Sequence, residues 1–248
     1  MLPQPLSIPV APDTLRRMPD AADSVTSFAD GVWLASQPVV HLGLHLTATM
    51  TVLRLADASL LVYSPVALTP ARRTAIAALG PVAHIYAPNL FHHMWLDEWI
   101  AAYPAARVHA PASLAKKHRG LRIDRPHGAP EPAFAGVVDE LHIDGFRLDE
   151  SVLVHRPSRT LLVADLVHNV GRPQHAWTRI YAKMNGFHDR VALSRMIRWT
   201  AFPDHRATRR SLDALLALEF DRMIVGHGDP LTSGAREAIA AAYAWLPA

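Results

Sequence analysis

The residues in this chain best suited to chemistry are histidines. Asn89 is followed by the pair His92 and His93 in the segment VAHIYAPNLFHHMWLDEW (residues 82–99). Far downstream stand Asp165, with His168 three residues on, and His227 between two glycines. Imidazole nitrogens with a carboxylate oxygen make a good zinc site, and the same donors hold iron or manganese. The chain has no cysteine. That excludes disulfides, thiolate catalysis and cysteine-based zinc or iron–sulfur centres, so any metal must rest on His, Asp or Glu. The candidate ligands are His92, His93, Asp165 and His227. His92 or His168, where not a ligand, is the candidate for moving a proton during catalysis. Each has a commonplace alternative. One histidine of the pair can cap a helix, Asp165 can cap a turn, and His168 can be an ordinary half-exposed imidazole. Asp229 either orients His227 as an outer carboxylate or starts an Asp-Pro turn.

These residues can act together only if the elements around them converge. Neighbours such as His92 and His93 face opposite sides of a strand and diverge by about 100° on a helix, so both can turn to one point only at an irregular junction. The pattern predicts such a junction: a strand at Val82–Tyr86, a break at Ala87-Pro88-Asn89, then a helix to about Tyr103, stopped by Pro104. Upstream, Gly31–Leu34 reads as a short first strand and His41–His45 as a loop or short strand, with Gly43 arguing against a helix. Thr49–Leu55 and Ser59–Tyr63 read as a hairpin. Thr69-Pro70 opens a helix that Gly80 ends. A second series follows in the same order. Val152–His155 and Thr160–Ala164 are strands, and helices are expected over about 189–200 and 208–218. Arg222–Val225 is a strand running into His227, and Gly234–Trp245 is a last helix. A hairpin, helical material and a strand thus occur twice, and in each half the final strand runs into histidine. Two mixed sheets packed face to face with helices outside, an αββα sandwich of the α/β (α+β) class, would bring the strand ends together. Residues 171–188, with Trp177, Tyr181, Lys183 and His188, fit neither strand nor helix cleanly and are expected to form a lid or wall. The expected division is an N-terminal arm over 1–30 and a single domain over 31–248.

Half of the 248 residues are hydrophobic, enough for a sizeable core. The net charge is +3, with arginines scattered among acids, and no block of like charge signals nucleic acid. No apolar run approaches the roughly 18 residues that span a membrane, and the proline-rich start lacks the pattern of a signal peptide. The expectation is a soluble cytoplasmic protein with a small-molecule substrate and no membrane partner; oligomeric state leaves no readable mark. Ser64 and Ser158 lack the context of a nucleophilic serine.

The order strand–Ala-Pro-Asn89-x-x-His92-His93–helix, then a hairpin ending Leu161-Leu162-Val163-Ala164-Asp165, then a strand ending Val225-Gly226-His227-Gly228, resembles the metallo-β-lactamase superfamily. The resemblance is best to a diverged, uncharacterised branch in which an Asn-x-x-His-His-x-x-x-x-x-Trp segment (here Asn89 to Trp99) replaces the familiar H-x-H-x-D-H, and it runs from about Gly31 to the last helix. By position it places His93 at the last histidine of that motif and His92 at its aspartate. Asp165 falls at the carboxylate that commonly bridges two metals, and His227 at the late histidine. The motif's first two histidines fall on Pro88 and Leu90, and a further one falls near Gly145-Phe146, so one metal site is absent. The resemblance therefore implies one ion rather than two, zinc or alternatively iron or manganese, or an altered site using His168. It implies hydrolysis of a small ester, lactone, amide or phosphoester. The alternative is a protein of the same fold that binds metal or ligand without turnover.

Overall fold

The structure is a computed structural model and describes residues 23–247 together with the backbone of Arg16–Arg17. The rest of the expected 1–30 arm, up to residue 22, lies outside the described residues. Arg16–Arg17 (β1) and Thr26–Ala29 (β2) both pair with the long strand β3 (Val32–His41). Leu42 and Gly43 both take positive φ, 49° and 77°, the two-residue turn that matches strand twist, and return the chain as β4 (Leu44–Arg54). His41–His45 is thus a hairpin tip. β4 pairs antiparallel with β5 (Leu60–Tyr63) as the sequence predicts. Helix α1 (Pro70–Leu79) carries its proline in the first turn, and the Thr69 hydroxyl caps it by accepting from the Arg72 amide. β6 (Val82–Tyr86), α2 (Leu96–Ala102), β7 (Arg107–Ala110), the single turn α3 (Leu114–Lys117) and β8 (Arg125–Pro126) follow. β5, β6, β7 and β8 run parallel, completing an eight-stranded sheet.

The second half repeats the plan on a smaller scale. β9 (Val138–His142), β10 (Ser151–His155) and β11 (Thr160–Leu162) form an antiparallel meander. Three helices come next, α4 (Ala176–Asn185), α5 (Arg195–Thr200) and α6 (His205–Ala217). β12 (Arg222–Ile224) then adds parallel to β11, and α7 (Ala235–Ala242) closes the described chain. The sheet order is β12-β11-β10-β9. Two sequence expectations change here. The helix expected over 189–200 is shortened to α5, because residues just before it bridge to the His168 backbone. The 171–188 segment contains a regular helix, capped by His175 and ended by Gly186 in a left-handed conformation.

The core has three apolar layers. Val32, Leu53, Leu61, Tyr63, Tyr86, Leu153, Leu162 and Ile224 pack between the two sheets. Ile76, Leu96 and Trp99 pack α1 and α2 on the outer face of the large sheet. Leu212, Leu215, Ile239 and Tyr243 pack α6 and α7 on the outer face of the small one. This is the expected αββα sandwich, and among the described residues no helix is long and apolar enough to cross a membrane. Both parallel pairs, β5/β6 and β11/β12, end at the same edge of the sandwich. The Thr49 amide bonding the Gly226 carbonyl at 3.0 Å ties the two sheets together there.

Candidate metal centre

Four chain segments leave the sheets at that edge. β5 ends in Ser64, and β6 runs into the loop that carries Asn89, His92 and His93. β11 runs through Val163 and Ala164 to Asp165, and β12 through Val225 and Gly226 to His227. The Asn89 side chain organises the loop. Its carbonyl oxygen accepts from the amides of Phe91 (2.8 Å) and His92 (2.9 Å), bending the backbone so that His92 faces inward. Its amide donates to Asp165 Oδ2 and to Glu150 Oε2, both at 2.9 Å.

His92, Asp165 and His227 meet, each offering a ligand atom within 4.8 Å of the others. His92 Nε2 lies 3.4 Å from Asp165 Oδ2, and His227 Nε2 lies 3.5 Å from Asp165 Oδ1. Those separations are long for N–H···O bonds, which cluster near 2.9 Å. They match two donors of one tetrahedral zinc, which at about 2.0–2.1 Å from the ion stand roughly 3.3 Å apart. The outer contacts point the same way. His227 Nδ1 is 2.8 Å from the Thr47 carbonyl, which can only accept, so the ring proton sits on Nδ1 and Nε2 of the neutral ring carries a free lone pair. His92 Nδ1 is held at 2.8 Å by the Ser64 hydroxyl, leaving its Nε2 toward the carboxylate. The chemistry of the donor set therefore fits a divalent transition-metal ion.

The electrostatics favour a cation among these groups. Burial works to raise the Asp165 carboxyl, but His92 and His227 outweigh it and hold Asp165 well below the ordinary carboxylate range. Burial likewise works to lower His227, yet the nearby Asp165 carboxylate and the Thr47 carbonyl carry it above its ordinary value. Without metal, the pair favours a shared proton in the place a cation can take. Behind it, fully buried Glu150 accepts from the amides of Ala164 (2.9 Å), Asp165 (2.9 Å) and Leu166 (3.2 Å) and from Asn89. Burial and the Asp165 charge push its carboxyl upward. All four of its contacts are donors, the pattern that suits a carboxylate acceptor. Glu150 thus clamps the turn that presents Asp165.

The remaining candidates fall outside the trio. His93 is turned away: its ring stands edge-on to His118 at 5.8 Å, and burial with Lys117 and His118 lowers it to about 4. His93 is not among the ligand atoms that His92, Asp165 and His227 bring within 4.8 Å of one another. His168 is buried, its ring centroid 5.6 Å from that of His227, and its Nδ1 is a buried atom with no partner among the described residues. His41, at the end of β3, feels the charges of both His227 and Asp165. Pro88 and Leu90 stand where the resemblance would place histidines, and they hold the fold through backbone bonds to Ser151 and Leu148. Phe146 stacks on Phe202 at 4.5 Å. Sequence reasoning did not assign Glu150, Thr47, His41 or the Ser64 contact. Neither Glu150, whose donors come from Asn89 and the turn after β11, nor a backbone carbonyl such as Thr47 leaves a signal in the sequence.

A second group, His84, His109 and Glu131, is also close enough for a metal. Arg107 lies 2.9 Å from Glu131 Oε2, and Arg125 Nη1 lies 3.4 Å from His109 Nδ1. Two guanidinium charges beside the group disfavour a cation there. The cluster is a buried hydrogen-bond network, with His84 Nδ1 and His109 Nε2 2.9 Å apart.

No protein-family model matches the chain, and no curated protein matches it in sequence. Solved structures do. A metallo-β-lactamase from Pontibacter korlensis superposes with a TM-score of 0.61 at 11% identity, over 90% of this chain and 98% of that one. The metallo-β-lactamase FIM-1 from Pseudomonas aeruginosa, in its mono-zinc form, gives 0.61 at 11% over 90% and 96%. The metal-soaked Flv1 flavodiiron core from Synechocystis sp. PCC6803 gives 0.63 at 14%, over 90% of this chain and 60% of that one. The chain has the metallo-β-lactamase fold.

Proposed function

We propose that this protein is a metal-dependent hydrolase of a small ester, lactone, amide or phosphoester, with one ion held by His92, Asp165 and His227. The observation that carries the reading is the pair of imidazole Nε2 atoms set 3.4 and 3.5 Å from the two oxygens of one buried carboxylate. Zinc suits this donor set best, with iron or manganese as alternatives. Bound there, such an ion supplies Lewis acidity and an acidified water. The protein's own residues do the rest. Asn89 holds the Asp165 carboxylate, Glu150 holds the backbone turn that presents it, and Ser64 and Thr47 fix the two rings. Proton transfer is assigned to His168, whose Nδ1 has no partner among the described residues and whose ring burial lowers to about 4. His92 is assigned to the metal rather than to proton transfer, because both its nitrogens are engaged.

A second reading is binding without turnover. It is favoured by Pro88, Leu90 and Phe146, which stand where the resemblance expects ligands of a second ion.

Elemental analysis of the purified protein should find about one transition-metal ion per chain. His92→Ala and His227→Ala should each lose it, while His93→Ala keeps it. Turnover of any member of an ester, lactone, amide and phosphodiester panel, abolished in the same two variants, supports hydrolysis. Metal without turnover gives the binding reading, and wild-type protein that takes up no metal overturns both.

A further inference from the structure

Helix α4 is amphipathic the wrong way round for a helix packed only on its own domain. Its buried residues are the small Thr178 and Ala182. Its large apolar side chains Trp177, Ile180 and Met184, at i, i+3 and i+7, face solvent, 48%, 51% and 66% exposed. The stripe does not stop at the helix. Trp177 lies over Gly43, beside the hairpin tip where Leu42 is exposed. At the other end the Tyr181 hydroxyl reaches Met196 Sδ at 3.5 Å and Arg195 bonds the Met184 carbonyl at 3.3 Å, so α5 abuts α4. There Met196 and, one turn on, Trp199 are exposed as well, Trp199 by 77%. A continuous exposed apolar surface of this kind marks an interaction site rather than chance exposure.

The charge around it names the partner. Residues 171–200 hold six basic side chains and one acidic one, an excess of five, whereas the whole chain carries only +3. The single acid, Asp189, pairs with Arg172 at 2.7 Å. Among the described residues, Arg179, Lys183, Arg190, Arg195 and Arg198 make no ion pair. A second copy of this face would bring five unpaired cations against five more. Nucleic acid would satisfy the charge but would leave Ile180, Met184 and Met196 without a use. Tryptophan and aliphatic side chains flanked by arginine and lysine suit the headgroup–acyl boundary of a bilayer carrying negative charge.

We propose that the α4–α5 face, with the Leu42 hairpin tip, docks this protein on an anionic membrane surface. α4 also leans on β4: Thr178 Oγ1 accepts from the His45 amide at 2.9 Å, two residues before Thr47, whose carbonyl holds His227. The docked face therefore adjoins the metal centre, and docking is read independently of any activity there.

The test is co-sedimentation of the full chain with phosphatidylcholine vesicles, with and without phosphatidylserine at about three parts in ten. The protein should pellet with the serine-containing vesicles and stay in solution with phosphatidylcholine alone. Raising NaCl to about 0.5 M should release most of it, since screening then acts within a few ångströms. The triple variant Trp177→Ser/Met184→Ser/Trp199→Ser should bind at least tenfold more weakly, and Lys183→Ala about fivefold more weakly. All four side chains are on the surface, so circular dichroism should be unchanged. Four results would overturn the proposal. One is no pelleting with anionic vesicles. Another is equal pelleting of the triple variant. The third is sedimentation velocity showing a wild-type dimer that the triple variant converts to monomer. The fourth is single-stranded oligonucleotide binding as tight as the vesicles and lost in the same variant.

Discussion

A histidine can offer one ring nitrogen to a metal only when something settles what the other does. Here the Thr47 carbonyl, which can only accept, settles it for His227, and the Ser64 hydroxyl, which can donate or accept, fixes the orientation of the His92 ring. Removing such an outer contact commonly costs 10- to 100-fold in metal affinity. Ser64→Ala is therefore expected to weaken zinc binding by about that factor with little change in fold, measured by competition with a chromophoric chelator. Unchanged affinity would mean the Asn89 bend alone positions His92. The other buried histidines act on stability instead. Burial, with His84 and Arg125 nearby, lowers His109 to about 2, and burial with His142 and Arg125 lowers His127 to about 3. Above the ordinary value near 6.5, folded and unfolded chains alike leave both rings neutral. Below it the unfolded chain takes up protons that the folded chain refuses, so stability falls as pH falls, by about 1.4 kcal/mol per pH unit for each histidine. Urea unfolding between about pH 6 and pH 4 should show this loss, and His109→Gln should make the slope shallower by one histidine's share. A slope equal to that of the wild type would show His109 to be protonated in the folded state.

At the scale of elements, the ends of strands carry the site, and their approach is close enough to dictate residue size. A Cβ built on Gly226 would lie 2.6 Å from His92 Cε1 and 2.7 Å from the Ala164 carbonyl oxygen. Gly226→Ala must therefore push His92 or the β11 end aside. The expected cost is about 1–3 kcal/mol of stability, together with loss of stoichiometric metal by elemental analysis. Metal retained at full occupancy would show that the loop can give way freely. The sequence pointed to this glycine, but for backbone bending; the operative reason is crowding from a residue more than a hundred positions away, which no local pattern encodes. Legibility follows the same rule elsewhere. β6, the capped α1 and the β10–β11 hairpin were readable because period, caps and turns are local. The inward choice of His92 over His93 was not, because it depends on where the Asn89 side chain lands. The helix in 171–188 was obscured because its apolar stripe faces solvent and its core face is only Thr178 and Ala182. Glu150 went unassigned because its donors come from Asn89 and from the turn after β11, and only the fold assembles them.

At the scale of the whole molecule, the centre is a seam. His92 comes from the large sheet, Asp165 and His227 from the small one, and the apolar layer between the sheets reaches the same edge through Tyr63 and Tyr86. An ion binding all three residues would cross-link the two halves in the native state alone, since the unfolded chain scatters ligands lying 73 and 62 residues apart in sequence. Binding to the native state alone raises stability by RT ln(1 + [L]/Kd), about 2.7 kcal/mol when free metal is a hundred times Kd. For a domain of this size that corresponds to a rise in Tm of roughly 5–10 °C. The expected outcome is that stripping with EDTA lowers the melting midpoint by that amount and that adding back zinc restores it. Asp165→Asn should melt at one temperature in either condition, because an amide is a poor ligand and cannot balance the cation's charge. Manganese and ferrous iron, compared with zinc in the same melts, would rank the metals through the size of the shift. Identical wild-type melts with chelator and with every one of these ions would leave the two sheets held by packing and hydrogen bonds alone. In that case His92, Asp165 and His227 form a proton-sharing cluster and not a metal centre.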